Sequence, residues 1–456
     1  MYFEQFYLAC LAHASYMLGS GGEAAVVDPQ RDVDIYLQAA QEQGLKIRHI
    51  FETHLHADFV SGHKELAART GANIYIGERA GARFAHVGLR DGSEVKFGEV
   101  RITALETPGH TPEAVCLVVR DLGKSPEPAL VLTGDTLFIG DVGRPDLSRQ
   151  YTAEQLAAML YDSLHEKLLR LPDHVVVYPA HGAGSLCGRN MRADRFSTIG
   201  AERLTNPALQ VRDRDDFVRQ LTANLPPRPA YFVEDAELNR AGAASLEELP
   251  PLPAIAPGRV QALIRDGANV LDTRSAEEFA AGHVPGSINI PLAGQFATWA
   301  GIVLGLRGRP VLIAESTEQL AESRMRLARV GIEECAGCVP GGVDEYKLSG
   351  LTLATLPQMS VRDLYGKITG FQVLDVRREA EWQAGHIEGA LWWPLDRFSS
   401  ELPQIEREEP IAVHCKSGYR SAIATSLLLR AGYQNVTNIV GGFDAWREAG
   451  LPCVSA

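Results

Sequence analysis

The sequence predicts an α/β protein of three domains, the first with sheets covered by helices and the other two with doubly wound parallel sheets. Three observations lead to this expectation. In the first half, short apolar runs end in polar loops and alternate with amphipathic helices such as 152–171. Proline clusters at 226–229 and 250–253 mark a stiff boundary. The segment after them repeats itself, and 456 residues exceed what one ordinary core organises.

The composition excludes several classes of protein. The chain is 45% hydrophobic and 22% charged, with a formal net charge of −13, so we expect no nucleic-acid partner. All apolar runs are shorter than a membrane span, and the first residues carry no basic region. The seven cysteines are odd in number and widely spread, which favours a reducing cytoplasm over a disulfide framework.

The first predicted domain, residues 1–235, contains four polar segments that follow apolar strands or lie in Gly/Pro turns. Strand ends hold side chains rigidly and leave them open to a cleft, which suits a metal site. The four segments are Thr53-His54-Leu55-His56-Ala57-Asp58-Phe59, Thr107-Pro108-Gly109-His110-Thr111, Leu132-Thr133-Gly134-Asp135-Thr136 and Tyr178-Pro179-Ala180-His181-Gly182.

In order and spacing, these segments resemble the ligand motifs of the metallo-β-lactamase superfamily, a likeness that covers about half of the chain. The resemblance implies the αββα metallo-β-lactamase fold and two metal sites. The implied ligands are His54, His56, His110 and Asp135 for the first site, and Asp58, Asp135, His181 and residue 59 for the second. Residue 59 is Phe59, whose phenyl ring has no lone pair for a metal. We therefore expect a single, partly open metal centre.

Within the superfamily, the branch that works with one metal is the persulfide dioxygenases. That resemblance implies one Fe(II) per chain, bound by His54, His110 and Asp135 and surrounded by His56, Asp58 and His181. Two imidazoles and one carboxylate on one face suit non-haem iron and leave positions for a sulfur substrate and O₂. The best-known iron members keep a histidine where this chain has phenylalanine, a departure that leaves the three iron ligands intact.

For other residues in and near these four motifs, the sequence does not decide between a structural and a functional role. His56, Asp58 and His181 fit a structural role as well as a functional one. Arg144 and Arg189 either hold a substrate carboxylate or phosphate or anchor their own loops. Isolated histidines, His13 among them, are expected to be structural or surface residues.

The sequence predicts a linker at 236–256 and duplicated domains at 257–350 and 359–456. The motifs that repeat are Asp272-Thr273-Arg274 with Asp375-Val376-Arg377, Gly282-His283 with Gly385-His386, and Gly341-Gly342 with Gly441-Gly442. A period of about one hundred residues is too long for a solenoid, so we expect tandem copies of one domain. Alternating strands and helices in each copy predict a doubly wound parallel sheet.

The second copy contains a reactive cysteine at a strand end, Cys415, followed by a tight loop and a helix predicted at 421–431. Backbone N–H groups and the helix dipole stabilise a thiolate or a Cys–S–S⁻ persulfide at such a position. Lys416 and Arg420 add positive charge for the oxygens of sulfite or thiosulfate. The spacing of five residues from cysteine to arginine resembles rhodanese sulfurtransferases. That resemblance implies a sulfur cradle supported by Ser417, Gly418, Tyr419, Asp375 and Arg377.

The first copy lacks the nucleophile, because Glu315 stands where the second copy has its cysteine. A carboxylate does not carry a transferable sulfane sulfur, so this copy resembles a catalytically silent rhodanese domain. It is expected to act as a scaffold or to shape the passage between sites. Its Cys335-x-x-Cys338 pair has no second pair nearby and is interpreted as two ordinary thiols.

The domain order resembles persulfide dioxygenase–rhodanese fusions of sulfide detoxification. The implied reaction oxidises a low-molecular-weight thiol persulfide with O₂ to sulfite and thiol. Sulfane sulfur then moves between persulfide, sulfite and thiosulfate through Cys415. Two alternatives are a zinc-dependent thioester hydrolase similar to glyoxalase II with a rhodanese attached, and a sulfur carrier with a vestigial metal site. The identity of the thiol, the direction of sulfur transfer and a homo-oligomeric state stay open.

Overall fold

The computed structural model describes residues 1–223 and 225–455. Asn224 and Ala456, which fall within the predicted ranges 1–235 and 359–456, lie outside the described residues. The chain divides into two compact units, one formed by residues 1–249 with 328–331 and the other by residues 250–327 with 332–456. Among the described residues, no helix has the length and apolar character needed to cross a membrane.

The first unit contains two six-stranded sheets. The first sheet has the order β1 to β6, antiparallel from β1 to β3 and parallel from β3 to β6. Its strands are β1 (Tyr2–Leu8), β2 (His13–Ser20), β3 (Glu23–Val27), β4 (Lys46–Glu52), β5 (Asn73–Gly77) and β6 (Val87–Leu89). The second sheet runs in the order β12 to β7 and comprises β7 (Glu94–Phe97), β8 (Val100–Glu106), β9 (Val115–Asp121), β10 (Leu130–Gly134), β11 (Val176–Pro179) and β12 (Ser197–Thr198).

Helices cover the outer face of each sheet in this unit. They are α1 (Asp34–Glu42), α2 (His63–Thr70), α3 (Ala153–Glu166), α4 (Ile199–Thr205), α5 (Pro207–Gln210), α6 (Arg214–Thr222) and α7 (Phe232–Ala241). One core lies between the sheets around Phe51 and Leu117, a second packs α1 and α2 on the first sheet, and a third packs α3 and α6 on the second sheet. The predicted αββα metallo-β-lactamase fold is confirmed.

Helix α3 is shorter than the amphipathic pattern at 152–171 predicted. Thr152 is its N-cap rather than its first residue, because the Thr152 hydroxyl accepts from the Gln155 backbone N–H while the Gln155 side chain accepts from the Thr152 N–H. The α-helix ends at Glu166, and a separate 3₁₀ turn covers Leu168–Arg170. The apolar pattern continues through this turn because Leu168 and Leu169 are buried in the same core.

The second unit contains two parallel sheets, one for each sequence repeat. The first, of order β14-β13-β15-β16, comprises β13 (Val270–Asp272), β14 (Ile288–Asn289), β15 (Val311–Ile313) and β16 (Gly337–Cys338). The second, of order β17-β21-β20-β18-β19, comprises β17 (Gln358–Met359), β18 (Gln372–Asp375), β19 (Leu391–Trp392), β20 (Ile411–His414) and β21 (Val436–Ile439).

Helices connect these parallel strands, as crossover connections require. They are α8 (Pro257–Arg265), α9 (Ala276–Ala281), α10 (Phe296–Leu304), α11 (Thr317–Ala328), α12 (Gly342–Leu348), α13 (Val361–Lys367), α14 (Glu379–Gln383), α15 (Tyr419–Arg430) and α16 (Gly442–Glu448). The prediction of two rhodanese-like doubly wound domains is confirmed. Helix α15 begins two residues earlier than the predicted 421, since Gly418 at a φ of 105° turns the chain directly into it.

Candidate functional site

The ends of β4, β8 and β10 bring His54, His110 and Asp135 together in the first unit. The Nε2 atoms of His54 and His110 lie 3.8 and 3.3 Å from Oδ2 of Asp135, and all three residues are at most 2% exposed. Donors about 2.1 Å from one ion are separated from each other by roughly 3.0–3.4 Å, so the His110–Asp135 distance fits a shared metal, and the His54–Asp135 distance is slightly longer than this range. The three residues form one of the groups in the described chain whose ligand atoms suit an ion.

Hydrogen bonds set the tautomers of the two imidazoles for metal binding. Nδ1 of His110 lies 2.9 Å from the Arg144 carbonyl oxygen, so it donates there and leaves Nε2 with its lone pair. Nδ1 of His54 lies 3.0 Å from the Thr53 hydroxyl. That hydroxyl donates its own proton to Asp28 at 2.9 Å, so its oxygen accepts from the imidazole. Both Nε2 lone pairs therefore face Asp135.

The ionisation states of the three residues also suit a cation. Burial lowers the pKa of His54 and of His110, so both rings are neutral. Burial raises the pKa of Asp135, but the nearby imidazoles of His181, His54 and His110 outweigh this effect and hold it well below its usual value. One buried carboxylate with two neutral imidazoles is a donor set that fits a divalent metal.

His181 joins two carboxylates instead of facing the triad with a lone pair. Its Nδ1 lies 2.8 Å from Asp135 and its Nε2 lies 3.0 Å from Asp58. Burial lowers the pKa of His181, but the two carboxylates outweigh it and hold the pKa well above its usual value. In this state both ring nitrogens carry protons, so the geometry supports a role in holding Asp135.

His56 turns toward a second buried acidic group behind the triad. Its Nε2 lies 3.2 Å from Asp28 and 3.7 Å from Glu52. Asp28 also accepts from the backbone N–H of Thr53 at 2.7 Å, and it adopts a φ of 52°, which is uncommon for residues other than glycine. Sequence reasoning missed Asp28, although its position directly after β3 is the same kind of strand-end signal that identified the other residues.

Phe59 stands at the motif position where the superfamily has a metal-binding histidine, and it packs beside the candidate centre. Its ring is fully buried and lies 4.1 Å from the ring of His13 and 4.5 Å from that of His56, centroid to centroid. We expected His13 to be a structural or surface residue, and it is fully buried beside this centre. Neither ring nitrogen of His13 has a hydrogen-bond partner among the described residues. No spacing in the sequence connects residue 13 with residue 59.

Cys187 is a further residue that the sequence did not single out for this centre. Cys187, Asp58 and His181 form a second group of buried donor atoms, all within 4.8 Å of one another, whose geometry is compatible with an ion. Burial raises the pKa of the Cys187 thiol well above its usual value, so the thiol is protonated.

The two arginines left open above both anchor loops. Arg144 donates to both carboxylate oxygens of Asp146 at 2.6 and 2.8 Å and to the Pro226 carbonyl at 2.8 Å. The Arg189 guanidinium donates to the Leu221 carbonyl at 2.6 Å. Gly143, beside Arg144, has no room for a side chain, since a Cβ there would lie 2.0 Å from the Asp135 carbonyl oxygen.

In the second unit, Cys415 follows β20 directly and is 1% exposed. The backbone N–H of Gly418 donates to its sulfur at 3.1 Å, at the start of α15. Gly442 adopts a φ of 57° against the loop, and a Cβ there would lie 2.4 Å from the Cys415 carbonyl oxygen. This close approach accounts for the Gly-Gly pair of the motif. Lys416 and Ser417 are exposed in the same loop.

Two ion pairs support this loop. Arg377 donates to both carboxylate oxygens of Asp375, with its Nε 2.9 Å from each oxygen. Arg420 donates to both carboxylate oxygens of Glu381 at 2.6 and 2.7 Å. From the sequence we predicted that Arg420 binds the oxygens of the substrate. Its ion pair with Glu381 was not predicted. The predicted role in oxyanion binding stays a prediction, and the structure adds that Glu381 holds the guanidinium in place.

The first rhodanese-like copy keeps the first of these pairs and lacks the second. Arg274 donates to Asp272 at 2.6 and 3.0 Å, as Arg377 does to Asp375. Glu278 corresponds to Glu381, but the counterpart of Arg420 is Leu320. A hydrogen bond from Glu278 raises the pKa of Glu315, the residue at the cysteine position. Two carboxyl groups therefore meet where the other copy has a thiol and an ion pair.

Comparison with known proteins supports the predicted families of both halves of the chain. The family model of the metallo-beta-lactamase superfamily matches residues 8–181, and that of the rhodanese-like domain matches residues 256–349 and 360–449. A metallo-beta-lactamase from Staphylococcus aureus of known structure is 32% identical with a TM-score of 0.67, over 74% of this chain and 98% of that one. This chain belongs to the metallo-beta-lactamase superfamily.

Within the superfamily, the chain is a fusion of a persulfide-dioxygenase-like domain with two rhodanese-like domains, as the motifs predicted. The mitochondrial persulfide dioxygenase ETHE1 of Homo sapiens is 32% identical over 234 residues, which cover 49% of this chain and 82% of that protein. A hydroxyacylglutathione hydrolase of Polaromonas is 36% identical over 163 residues, covering 35% of this chain and 57% of that protein.

Proposed function

We propose that the first unit is a persulfide dioxygenase with one Fe(II) per chain, bound by His54, His110 and Asp135. The observation that carries the proposal is the convergence of two neutral imidazoles and one carboxylate, with Phe59 at the motif position where a second ion would take a histidine ligand. Three protein ligands leave an iron ion with open positions, and iron supplies the activation of O₂ that no side chain provides.

The chain's own residues hold and orient this centre. Thr53 and the Arg144 carbonyl fix the two imidazoles, and His181 holds Asp135 by a hydrogen bond of 2.8 Å. Burial of the whole group excludes water from the donors and strengthens their attraction for a cation. The overall reaction, R–S–S⁻ + O₂ + H₂O → R–SH + SO₃²⁻ + H⁺, balances in atoms and charge.

We propose that Cys415 carries sulfane sulfur in the second unit. A Cys415 persulfide transfers its outer sulfur to sulfite, forming thiosulfate and leaving a thiolate. The Gly418 N–H and the N-terminus of α15 stabilise negative charge on that sulfur, and the exposed Lys416 attracts the oxyanion. The reverse transfer, from thiosulfate to a thiol, uses the same residues. Together the two units would convert toxic sulfide-derived persulfide into thiosulfate.

The deciding experiment follows O₂ with an oxygen electrode while iron-loaded protein consumes a persulfide. We expect O₂ uptake matched mole for mole by sulfite, and thiosulfate when further persulfide is present. His110→Ala should abolish O₂ uptake and keep transfer of sulfur to cyanide, whereas Cys415→Ser should do the reverse. If the protein instead binds zinc, consumes no O₂ and cleaves hydroxyacylglutathione, the hydrolase alternative is supported. The similarity to the Polaromonas hydroxyacylglutathione hydrolase is the reason to test this alternative.

Two further expectations belong with this proposal. All seven cysteines are free, which supports a reducing compartment such as the cytoplasm, to be checked by cell fractionation. The division into 1–235, 236–256, 257–350 and 359–456 stays a prediction. Because α7 continues to Ala241 and the first unit to residue 249, limited proteolysis should cut first in the part of the linker after these residues.

A further inference from the structure

A cavity of about 740 Å³ lies beside the Cys415 loop in the second unit. Ser417, Gly418 and Tyr419 of the active copy line one side of it, and residues 273–278 of the silent copy line the other. Ligand sites of small molecules have volumes of roughly 300–1,000 Å³, so the cavity has room for a thiol of metabolite size.

Residues 273–278 of the silent copy are called the wall of the cavity below. Hydrogen bonds between the two copies hold this wall opposite the Cys415 loop. The Tyr419 hydroxyl donates to the Pro291 carbonyl at 2.9 Å, and the Asn289 backbone N–H donates to the Ser426 hydroxyl at 3.0 Å. Arg430 of α15 donates to two carbonyl oxygens of the silent copy at 2.9 and 3.0 Å. These hydrogen bonds fix the position of the silent copy relative to α15, the helix that begins at the Cys415 loop.

The charge of this wall is negative. The charged residues in the described lining are Arg274, Glu277 and Glu278. The Arg274 guanidinium is neutralised by Asp272, which it contacts through two hydrogen bonds. Arg274 also lies near Glu278, but one guanidinium does not balance Asp272 and two glutamates, so a net negative field acts on whatever occupies the cavity.

A buried acceptor in the same cavity also lacks a donor. Asn438 lines the cavity and is 3% exposed. Its Nδ2 donates to Gln358 at 2.8 Å, while its Oδ1 has no hydrogen-bond partner among the described residues. A buried acceptor without a partner is costly, so its presence in a cavity points to a ligand that brings N–H groups.

We propose that the silent rhodanese copy selects the thiol that exchanges sulfur with Cys415, and that this thiol carries a primary ammonium group. The ammonium binds the wall of Glu277 and Glu278, while the sulfur faces the cysteine loop. This inference rests on the proposed sulfur transfer. In the exchange, the thiolate sulfur forms a new S–S bond to the sulfane sulfur as the bond to Cys415 Sγ breaks, which leaves a thiolate on the enzyme and R–S–SH as product.

The test uses full-length protein, thiosulfate as donor and three small thiols of different charge. Cysteamine carries an ammonium, 2-mercaptoethanol is neutral and 3-mercaptopropionate carries a carboxylate. With kcat/KM expressed per thiolate, we expect the wild type to prefer cysteamine over 3-mercaptopropionate by at least about tenfold. Glu277→Gln/Glu278→Gln should reduce this ratio to about that of the thiols in free solution.

Glutamine suits this test because it keeps the hydrogen bonds by which Glu278 caps α9 and removes only the charge. Glu448→Gln, an exposed residue outside the cavity lining, is the matched control and should leave the ratio unchanged. Sulfur transfer to cyanide reports whether Cys415 still loads sulfur, and it should be equal in all three proteins.

Equal ratios in the wild type and the double variant would overturn the inference while leaving the proposed sulfur transfer intact. So would a double variant that slows every acceptor, cyanide included, by the same factor, because the wall would then act on the loop and not on the thiol. A wild-type protein that forms no thiocyanate would instead refute the sulfur transfer itself.

Discussion

Replacing Phe59 with histidine should convert the metal centre from one ion to two. The phenyl ring is fully buried, and its position next to Asp58 and His181 is where the superfamily motif places a ligand. An imidazole has nearly the same size, so the substitution adds a donor without leaving a large cavity. Metal would displace the proton on His181, and the second site would then have four protein donors, with Asp135 shared between the two ions.

The cost of this substitution without metal follows from burial. Two imidazole nitrogens would replace apolar atoms at a site with 0% exposure. A buried polar group without a partner costs about 1–3 kcal/mol, so the metal-free variant should lose about 2 kcal/mol. For a domain of this size, that loss lowers Tm by about 4–8 °C. Added zinc should restore the melting temperature of the variant, since metal bound to the folded state stabilises it.

The assay combines metal analysis with calorimetry on wild type, Phe59→His and Phe217→His. Phe217 is also buried in the first unit, on α6, but packs in the core beneath the second sheet. Its histidine variant should lose stability without gaining metal. If Phe59→His binds no more metal than the wild type, or if the wild type already binds two ions, then Phe59 does not set the metal count.

Three further predictions concern single side chains. Thr53→Val removes the acceptor of His54 Nδ1–H and should weaken iron binding by about 10–100-fold, measured by competition with a chelator. Cys415→Ser should lower thiosulfate formation to background at unchanged O₂ uptake, as read by sulfite and thiosulfate analysis. Glu381→Gln should destabilise the second unit by about 2 kcal/mol at neutral pH, seen in denaturant unfolding, because a charged pair with Arg420 is lost. Burial raises the pKa of Glu381, but the arginines outweigh it and lower the pKa below its usual value. The difference from wild type should therefore be complete above about pH 4.3 and shrink as the pH falls through the lower, folded pKa. A difference that grows in acid would contradict the ion-pair account.

The sequence marked polar residues at the ends of apolar strands, and the resemblance to the superfamily motifs singled out the candidate metal triad among them. His54, His110 and Asp135 each follow a strand within a few residues, so the apolar pattern and the motif together marked them. The same logic marked Cys415 and identified Glu315 as its replacement in the other copy. These are properties of short segments, which periodicity and spacing describe well.

Residues that act through tertiary contacts were not visible in this way. His13 reaches the metal centre because β2 lies in the same sheet as the strand before His54, and Cys187 reaches it through a loop after β11. Glu381 meets Arg420 across 39 positions of sequence. No local pattern encodes such pairings, and a lone histidine, cysteine or glutamate has many ordinary roles.

The most direct test of the account is an anaerobic titration of metal-free protein with Fe(II), followed by O₂ uptake with a persulfide at each point of the titration. The account predicts an end point at one iron per chain, with O₂ uptake rising in proportion to bound iron and absent with zinc. An end point at two ions, or persulfide oxidation that does not depend on iron, would contradict it.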